Sequence, residues 1–277
     1  MMHSQNRAKG FTLIEAIMVI TITGVLAAIV AVFIKQPVES YFDSARRAAL
    51  IDEADTAVRR MARDIHKALP NSVRQASTQC IEFIPTKVGG RYRAAVNASG
   101  DGDILDFTTA DPSFDMFGLN SALPADQQIV AGDMIAVYNL GVTGANAYAG
   151  NNTSTVTSIT EPGSLDNETK ITIGTKQFPL ASSSKRFQVI SNNETIVSFV
   201  CSGGNLYRNT NYVYSSSCPT PTPGTTPILA QHVSSCNFIY NNFELQRNGL
   251  VQIAITLTDD GGESVRLYHE AHVNNSP

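Results

Sequence analysis

The stretch RAKGFTLIEAIMVITITGVLAAIVAVFIKQP, residues 7–37, decides the fold of the first part of this chain. A short basic leader ends at Gly10, and the apolar run 16–34 is interrupted only by two threonines and one glycine. A helix counted from Phe11 to the end of that run is about 36 Å long at about 1.5 Å per residue, which is enough to cross a bilayer. The sequence therefore predicts a transmembrane and assembly helix over residues 11–36.

The order of these features differs from that of a signal peptide. A signal peptide has an apolar core of about 7–15 residues with a small-residue cleavage site behind it. Here the run is longer and ends in KQP, residues 35–37, without such a site. The conspicuous processing site lies in front of the run, where Gly10 precedes Phe11 and an acid, Glu15, follows four residues later. Conventional cleavage and a simple uncleaved anchor remain alternatives, but neither accounts for this acid.

Glu15 is unusual because it lies inside a spanning helix. A carboxylate at the centre of such a helix costs about 2.5–3.5 kcal/mol on insertion scales, and less near an end. Cleavage after Gly10 would create a cationic amine on Phe11, and two opposite charges removed from water are tolerated when they meet. Residues four apart share a helix face. We therefore interpret Glu15 as an assembly and register residue.

The motif KGFTLIE resembles the processing site of type IV prepilins and pseudopilins. In that family a dedicated peptidase cuts after the glycine and methylates the new terminal phenylalanine. The resemblance implies a cleaved leader over residues 1–10, cleavage between Gly10 and Phe11, N-methylation of Phe11, and pairing of Glu15 with the amine of a neighbouring subunit. The implied partners are other major and minor pilins, the prepilin peptidase/methyltransferase, the inner-membrane assembly platform and the membrane itself.

Residues 37–70 continue the helix as an amphipathic half. From Ile51 to Ala68 the apolar residues recur in steps of three and four, which is the helical period. The helix is expected to end at Leu69, because a proline follows and disfavours helical backbone in the residue before it. Gly24 and Pro37 are the expected points of a kink. A freestanding coiled-coil dimer is the alternative, but the sheet-like sequence that follows needs a surface to pack on.

Residues 71–277 are expected to form a β-rich head, because short β-prone segments alternate there with Gly, Asn, Ser and Pro. Hairpins are predicted to turn at Gly203-Gly204 and at Asp259 to Gly262. The polar stretch Gly141 to Ser154 and the proline-rich stretch 215–227 are predicted to be exposed loops. The fold class is α+β and pilin-like, a long N-terminal helix packed on an antiparallel sheet. Strands are predicted at Cys80–Ile84, Ile104–Phe107, Asp133–Tyr138, Thr153–Ile159, Lys170–Ile173, Phe187–Ile190, Thr195–Cys201, Asn205–Tyr207, Val233–Tyr240, Leu250–Thr258 and Glu263–Val273.

The four cysteines indicate an oxidising compartment. They have no C-x-x-C spacing and no well-placed histidine nearby, which argues against a zinc site. An even number downstream of a membrane-targeting segment predicts two disulfides, with three connectivities open. Four unpaired buried thiols are the alternative. The disulfide candidates are Cys80, Cys201, Cys218 and Cys236.

Other chemistry finds little support. The net charge is −4 without a basic patch, so nucleic-acid binding is not expected. The histidines stand in no catalytic or metalloprotease pattern, and neither enzymatic activity nor a cofactor is predicted. In DGDILDFTTADPSFD, the acids Asp101, Asp103 and Asp106 are weak calcium candidates. They lack the twelve-residue calcium-loop pattern, and an ordinary Asp/Gly turn is the preferred interpretation.

The resemblance extends beyond the N-terminus. The segments VESYFDSARRAALIDEADTAVRRMARDIHKALPNSVR, CIEFIPT, CSGGNLYR and GGESVRLYHEAHVNNSP are similar to minor pilins of the mannose-sensitive haemagglutinin (MSHA) pilus system, which are in turn similar to J-type minor pseudopilins of type II secretion. This implies a single-pass inner-membrane protein with a periplasmic head that helps prime or cap filament assembly near the tip. A secretion pseudopilin and a tip-located adhesin are the alternatives. Major pilins typically have a proline earlier in the spanning helix, where this chain has Val32.

Overall fold

The structure, a computed structural model, describes residues 10–240 and 248–277. A long helix α1 (Leu13–His66) is followed by two short 3₁₀ helices and by strands that pair only in antiparallel fashion. The predicted α+β, pilin-like arrangement is confirmed. The 3₁₀ helices are Asn120–Ala122 and Ala147–Ala149. The strands are β1 (Arg74–Ser77), β2 (Cys80–Phe83), β3 (Val88–Arg91), β4 (Asp111–Phe117), β5 (Met134–Ala136), β6 (Thr153–Thr160), β7 (Glu168–Lys176), β8 (Arg186–Ile190), β9 (Val197–Ser202), β10 (Asn205–Thr210), β11 (Ile228–Ala230), β12 (Val233–Tyr240), β13 (Asn248–Thr258) and β14 (Ser264–Asn274).

Helix α1 is continuous through Gly24 and Pro37, the two expected points of a kink. It ends at His66, three residues before the predicted end. The reason lies in the sheet, because the backbone N–H of Leu69 donates to the carbonyl of Ile84 at 2.7 Å. This hydrogen bond to the residue that follows β2 holds the backbone outside the helix, so α1 ends before it reaches Pro70. The chain divides into two compact units, the second of which is Leu50–Pro277.

The second unit contains the last part of α1, whose apolar stripe enters the core. Leu50 is 5 % exposed whereas Ile51 is 44 % exposed, so the buried stripe starts one residue earlier than the sequence pattern suggested. Burial of each large apolar side chain contributes about 1.5–3 kcal/mol to the free energy of folding. The buried helix residues are Leu50, Ala54, Ala57, Val58, Met61, Ala62 and Ile65, and they pack with Ile81, Phe83, Val197, Phe199, Phe238, Ile253 and Ile255.

The strands form three sheets. A five-stranded sheet has the order β1-β2-β9-β10-β11, and a three-stranded sheet has the order β12-β13-β14. These two share the core that contains α1. A six-stranded sheet, β3-β8-β5-β6-β7-β4, surrounds a separate core with no helix residue in it. The largest side chains of this second core are Tyr92, Phe114, Phe178 and Phe187.

Both predicted hairpins are confirmed. Gly203 and Gly204 form the two-residue connection between β9 and β10 with φ of 55° and 78°. Two successive positive φ values match the twist of the strands, and glycine adopts them at no steric cost. The turn between β13 and β14 is closed by a 3.0 Å hydrogen bond from the Asp259 N–H to the Glu263 carbonyl.

One predicted strand is wrong, and four strands of the structure, β1, β3, β4 and β11, were not predicted. Residues Ile104–Phe107 form no strand, because the Asp106 N–H donates to a carboxylate oxygen of Asp111 at 2.7 Å instead of joining a ladder. The strand β4 lies in the aspartate-rich stretch that was predicted as a turn. Its Pro112 is tolerated because β4 is at the edge of the six-stranded sheet and has a register shift between residues 111 and 113.

Candidate functional site: the N-terminal processing and assembly segment

The start of α1 is closed by Thr12 and Glu15. The Thr12 N–H and hydroxyl each donate to Oε2 of Glu15 at 2.9 Å, and the Glu15 N–H lies 3.4 Å from the Thr12 hydroxyl oxygen. This is a capping box, in which the residue before the helix and the third helical residue satisfy each other's backbone donors. Glu15 therefore has a hydrogen-bonding role in its own chain in addition to the assembly role expected for it.

The sequence signal for this capping box was missed. A threonine followed three residues later by glutamate, ahead of an apolar run, is the usual signature of a helix N-terminus. Because Glu15 lies in an apolar run, it was interpreted by its charge alone. The signature also predicts the observed start of α1 at Leu13.

The expected cleavage site lies just ahead of the helix. Gly10 and Phe11 are outside α1, and the earliest helical acceptor is the carbonyl of Thr12, which receives the N–H groups of Glu15 and Ala16 at 3.1 and 3.2 Å. Cleavage between Gly10 and Phe11 would thus break no helical hydrogen bond. The leader residues 1–9 lie outside the described residues.

The described residues of the first unit, 10–49, are all exposed. Phe11 is 81 % exposed, and large apolar side chains follow it along the helix. α1 contains a segment long and apolar enough to cross a membrane, with none of that segment buried within the protein. The hydroxyl of Thr21 donates to the carbonyls of Ile17 and Met18 at 3.0 Å, so this polar group is satisfied inside the helix. Such a continuous apolar surface needs a membrane or other subunits to cover it.

All four cysteines are paired in disulfides. Cys80 of β2 bonds to Cys218 in the proline-rich loop, and Cys201 of β9 bonds to Cys236 of β12. The second bond links the five-stranded and three-stranded sheets, whereas the first fixes the loop to a central strand. Of the three connectivities left open by the sequence, the structure adopts this one.

A cluster of aromatic and charged side chains lies near the same loop. The Arg74 guanidinium contacts the rings of both Tyr148 and Tyr214, 4.4 and 3.8 Å from their centroids, and the two rings lie 4.9 Å apart, centroid to centroid. It also pairs with Glu82, which is 2 % exposed and accepts a hydrogen bond from Tyr212. Burial, together with the adjacent Glu82 carboxylate, raises the pKa of both Tyr148 and Tyr212. Sequence reasoning missed this cluster, because its members come from distant parts of the chain.

The weak calcium candidates are engaged in turns and a salt bridge. Asp103 pairs with Lys170 at 3.0 Å and accepts a hydrogen bond from Ser113 at 2.6 Å. Asp106 accepts hydrogen bonds from the two threonines that follow it, and these lower its pKa to about 2. Asp101 accepts a 3.3 Å hydrogen bond from a nearby side-chain amide. Among the described residues there is no group of three or more His, Cys, Asp or Glu that could hold a metal ion.

Comparison with known proteins gives one match. Residues 5–31 match the prokaryotic N-terminal methylation motif. No curated protein and no solved structure matches the chain. The matched range contains the glycine, the phenylalanine and the capping-box glutamate described above.

The motif implies processing by a prepilin peptidase and assembly with other pilins, and it indicates a structural rather than an enzymatic role. The apolar helix is compatible with membrane anchoring. The motif at the N-terminus, together with one long helix followed by antiparallel sheets, supports a type IV pilin-like protein.

Proposed function

We propose that this chain is a minor pilin of an MSHA-type type IV pilus, similar to the biogenesis protein MshO, which helps prime or cap filament assembly near the tip. The observation that carries the proposal is the methylation motif over residues 5–31, placed at the start of a 54-residue helix. In this proposal the chain crosses the inner membrane once with its head in the periplasm. It is cut between Gly10 and Phe11, methylated at Phe11, and moved into a filament by the assembly platform.

Glu15 would act in two stages. In the uncut chain its carboxylate closes its own helix through Thr12. After cleavage the new amine on Phe11 of a neighbouring subunit would approach the same carboxylate as the helices pack. A carboxylate has two oxygens and about four acceptor sites, so it can keep the capping box and accept the amine. Pairing offsets the desolvation of both charges, and an unpaired charge in the helix bundle would oppose packing.

Two features favour a minor over a bulk subunit. Val32 occupies the part of the spanning helix where major pilins typically have a proline. The head also contains a second core within the six-stranded sheet, apart from the core that packs on α1. A head of this size suits a subunit present in few copies at a filament end.

The J-type pseudopilin of a type II secretion system is the second candidate, because its assembly chemistry is the same. A tip-located adhesin is the third. The observation in its favour is the proline-rich loop, which is held by Cys218 and by a 2.7 Å hydrogen bond from Arg74 to the carbonyl of Ser215. A loop fixed in this way is preorganised to present its exposed residues to a surface.

A mass-spectrometric census tests the proposal. Peptides that start at Phe11 would be quantified in sheared, purified filaments and in the inner membrane. Trace amounts in filaments, with methyl-Phe11 at the end, are expected of a minor pilin. Abundance rivalling that of the main subunit would make the chain a structural pilin, and presence only in the membrane would favour the secretion pseudopilin. An intact leader in the membrane would overturn the prepilin assignment.

A further inference from the structure

The three-stranded sheet ends in a long, regular edge. Strand β14 pairs with β13 along all of its eleven residues without a register shift, whereas the pairings of β1 with β2 and of β12 with β13 both contain one. Its other side joins no strand among the described residues. Natural edges are usually short, bulged or covered, because a straight free edge is a template for another strand.

The outward backbone groups of β14 can be identified from its turn. The hydrogen bond from Asp259 to Glu263 makes those two residues a bonded pair, and bonded pairs alternate along an antiparallel ladder. Odd-numbered residues of β14 therefore bond to β13, and even-numbered residues direct their N–H and C=O groups away from the sheet. Outside the strand ladders, no backbone–backbone hydrogen bond among the described residues involves Arg266, Tyr268, Glu270 or His272.

The charges along this edge are complementary to themselves. Arg266 and Glu270 lie two residues before and two residues after Tyr268 on the exposed face of the strand. A two-fold axis at Tyr268 would place Arg266 of one copy opposite Glu270 of the other, and it would do so twice. The same register would place Ser264 opposite His272, so that the even-numbered residues, whose backbone groups point outward, face one another across the new pair.

We propose that β14 is a homodimerisation edge, on which a second copy of this chain adds its own β14 in antiparallel register centred on Tyr268. Each facing pair of even-numbered residues exchanges two backbone hydrogen bonds, the odd-numbered pairs between them exchange none, and the two three-stranded sheets become one continuous sheet. Opposite charges directly across an antiparallel pair stabilise it, and aromatic side chains across from each other do the same. Tyr268, which is 56 % exposed in the single chain, would pack against its own counterpart.

The side chains are available for these contacts. Glu270 accepts a hydrogen bond from the Tyr268 hydroxyl, and the Gln252 amide lies 3.5 Å away from it; both are neutral donors. Arg266 forms no salt bridge with any residue that the structure describes. The pairing therefore requires no existing ion pair to be broken. Strands with charges of one sign would repel a second copy, whereas this arrangement attracts one.

A disulfide-trapping experiment on the full chain in detergent micelles tests the register. The cysteines already present are all paired, so a single new cysteine supplies the free thiol. In the proposed dimer the two Tyr268 Cα atoms lie about 5.5 Å apart, which is within the range a disulfide spans. Tyr268→Cys should thus form a covalent dimer under mild oxidation, at least about tenfold more than the matched control Ser264→Cys. The two Ser264 residues would be about 27 Å apart, at about 3.4 Å for each of eight residues.

Charge exchange tests the same register without new thiols. Arg266→Glu or Glu270→Arg alone should raise the dimer dissociation constant about tenfold, because both symmetry-related pairs become like-charged. The double variant Arg266→Glu/Glu270→Arg should restore dimerisation. These side chains are exposed, so thermal unfolding should be nearly unchanged.

Three outcomes would overturn the inference. The first is equal disulfide trapping at positions 268 and 264. The second is failure of the double charge variant to restore dimerisation. The third is trapping of Tyr268→Cys only with a different protein, which would make another subunit the occupant of the edge. None of them bears on processing at Phe11, so the proposed function and this inference fail separately.

Discussion

The two roles of Glu15 can be separated by choosing which part of its side chain to remove. Glu15→Gln keeps an oxygen for the capping box with Thr12 but removes the charge, because glutamine serves at this position of a capping box as well as glutamate does. Glu15→Ala removes both. If the charge drives assembly, both variants should be strongly defective in filaments, with the alanine variant weaker only by the small further cost of the lost cap. If the cap is all that matters, only the alanine variant should be affected.

The expected magnitudes differ enough to be decisive. Leaving the neighbour's buried amine without its carboxylate costs about 3–5 kcal/mol. At about 1.4 kcal/mol for each factor of ten, this is a loss of about 10²-fold to about 4 × 10³-fold in the equilibrium for incorporation. Losing the cap alone costs about 1 kcal/mol, or about fivefold. We expect both variants to insert into the membrane and to be cleaved normally, since cleavage precedes the buried pairing.

The assay is the ratio of Phe11-starting peptide in sheared filaments to that in the inner membrane, measured by mass spectrometry for each variant. Glu39→Gln is the matched control, because Glu39 is an exposed acid on the same helix. It pairs with Lys35 at 3.7 Å, a surface pair worth about 0.5 kcal/mol or less. The control should assemble like the wild type. Normal incorporation of Glu15→Gln beside defective Glu15→Ala would refute the charge-pairing argument.

Three further predictions concern the head. Replacing both Cys80 and Cys218 by serine should lower the free energy of unfolding by about 5 kcal/mol, because the disulfide closes a loop of 138 residues. Urea unfolding under oxidising conditions measures the loss of stability, and an unchanged unfolding midpoint would contradict the prediction. Arg74→Ala should cost about 3–5 kcal/mol in the same assay because Glu82 would stay buried without its cation, and a change below about 1 kcal/mol would show that water replaces the guanidinium. The pKa of Tyr212 is raised in the folded state, so the folded protein keeps a proton that the unfolded chain loses above about pH 10, and stability should fall steadily as the pH rises from about 10 toward the raised folded pKa. Tyr212→Phe should reduce the loss of stability at alkaline pH. An unaltered dependence of stability on pH would assign that loss to other groups.

The sequence was most informative where the determining interactions are local. The basic leader, the glycine before Phe11, the acid and the apolar run are contiguous in the sequence, and the structure has a long helix from Leu13 onward. The Gly203-Gly204 hairpin was predictable for the same reason, because its turn chemistry lies within two residues. The end of α1 was not, since it depends on a hydrogen bond from Leu69 to Ile84, the residue that follows β2.

Apart from the capping box of Thr12 and Glu15, whose sequence signal is local, the features that were not predicted depend on long-range contacts or on position in a sheet. Pro112 and the surrounding aspartates gave β4 the composition of a turn, and only its place at a sheet edge makes a strand tolerable there. The pairing of Cys80 with Cys218 depends on how the proline-rich loop folds back, which composition does not encode. The stacking of Arg74 on Tyr148 and Tyr214 likewise joins segments that have no shared pattern.

The two separate cores offer a practical route to labelling. The core of the six-stranded sheet contains no residue of α1. Between the strands of that sheet, Ser99 and Gly100 lie in an exposed turn. Insertions are tolerated best at exposed turns with small or polar residues. A short peptide tag placed between these two residues would therefore report the position of the head by light or electron microscopy while the helix and its sheet stay as they are.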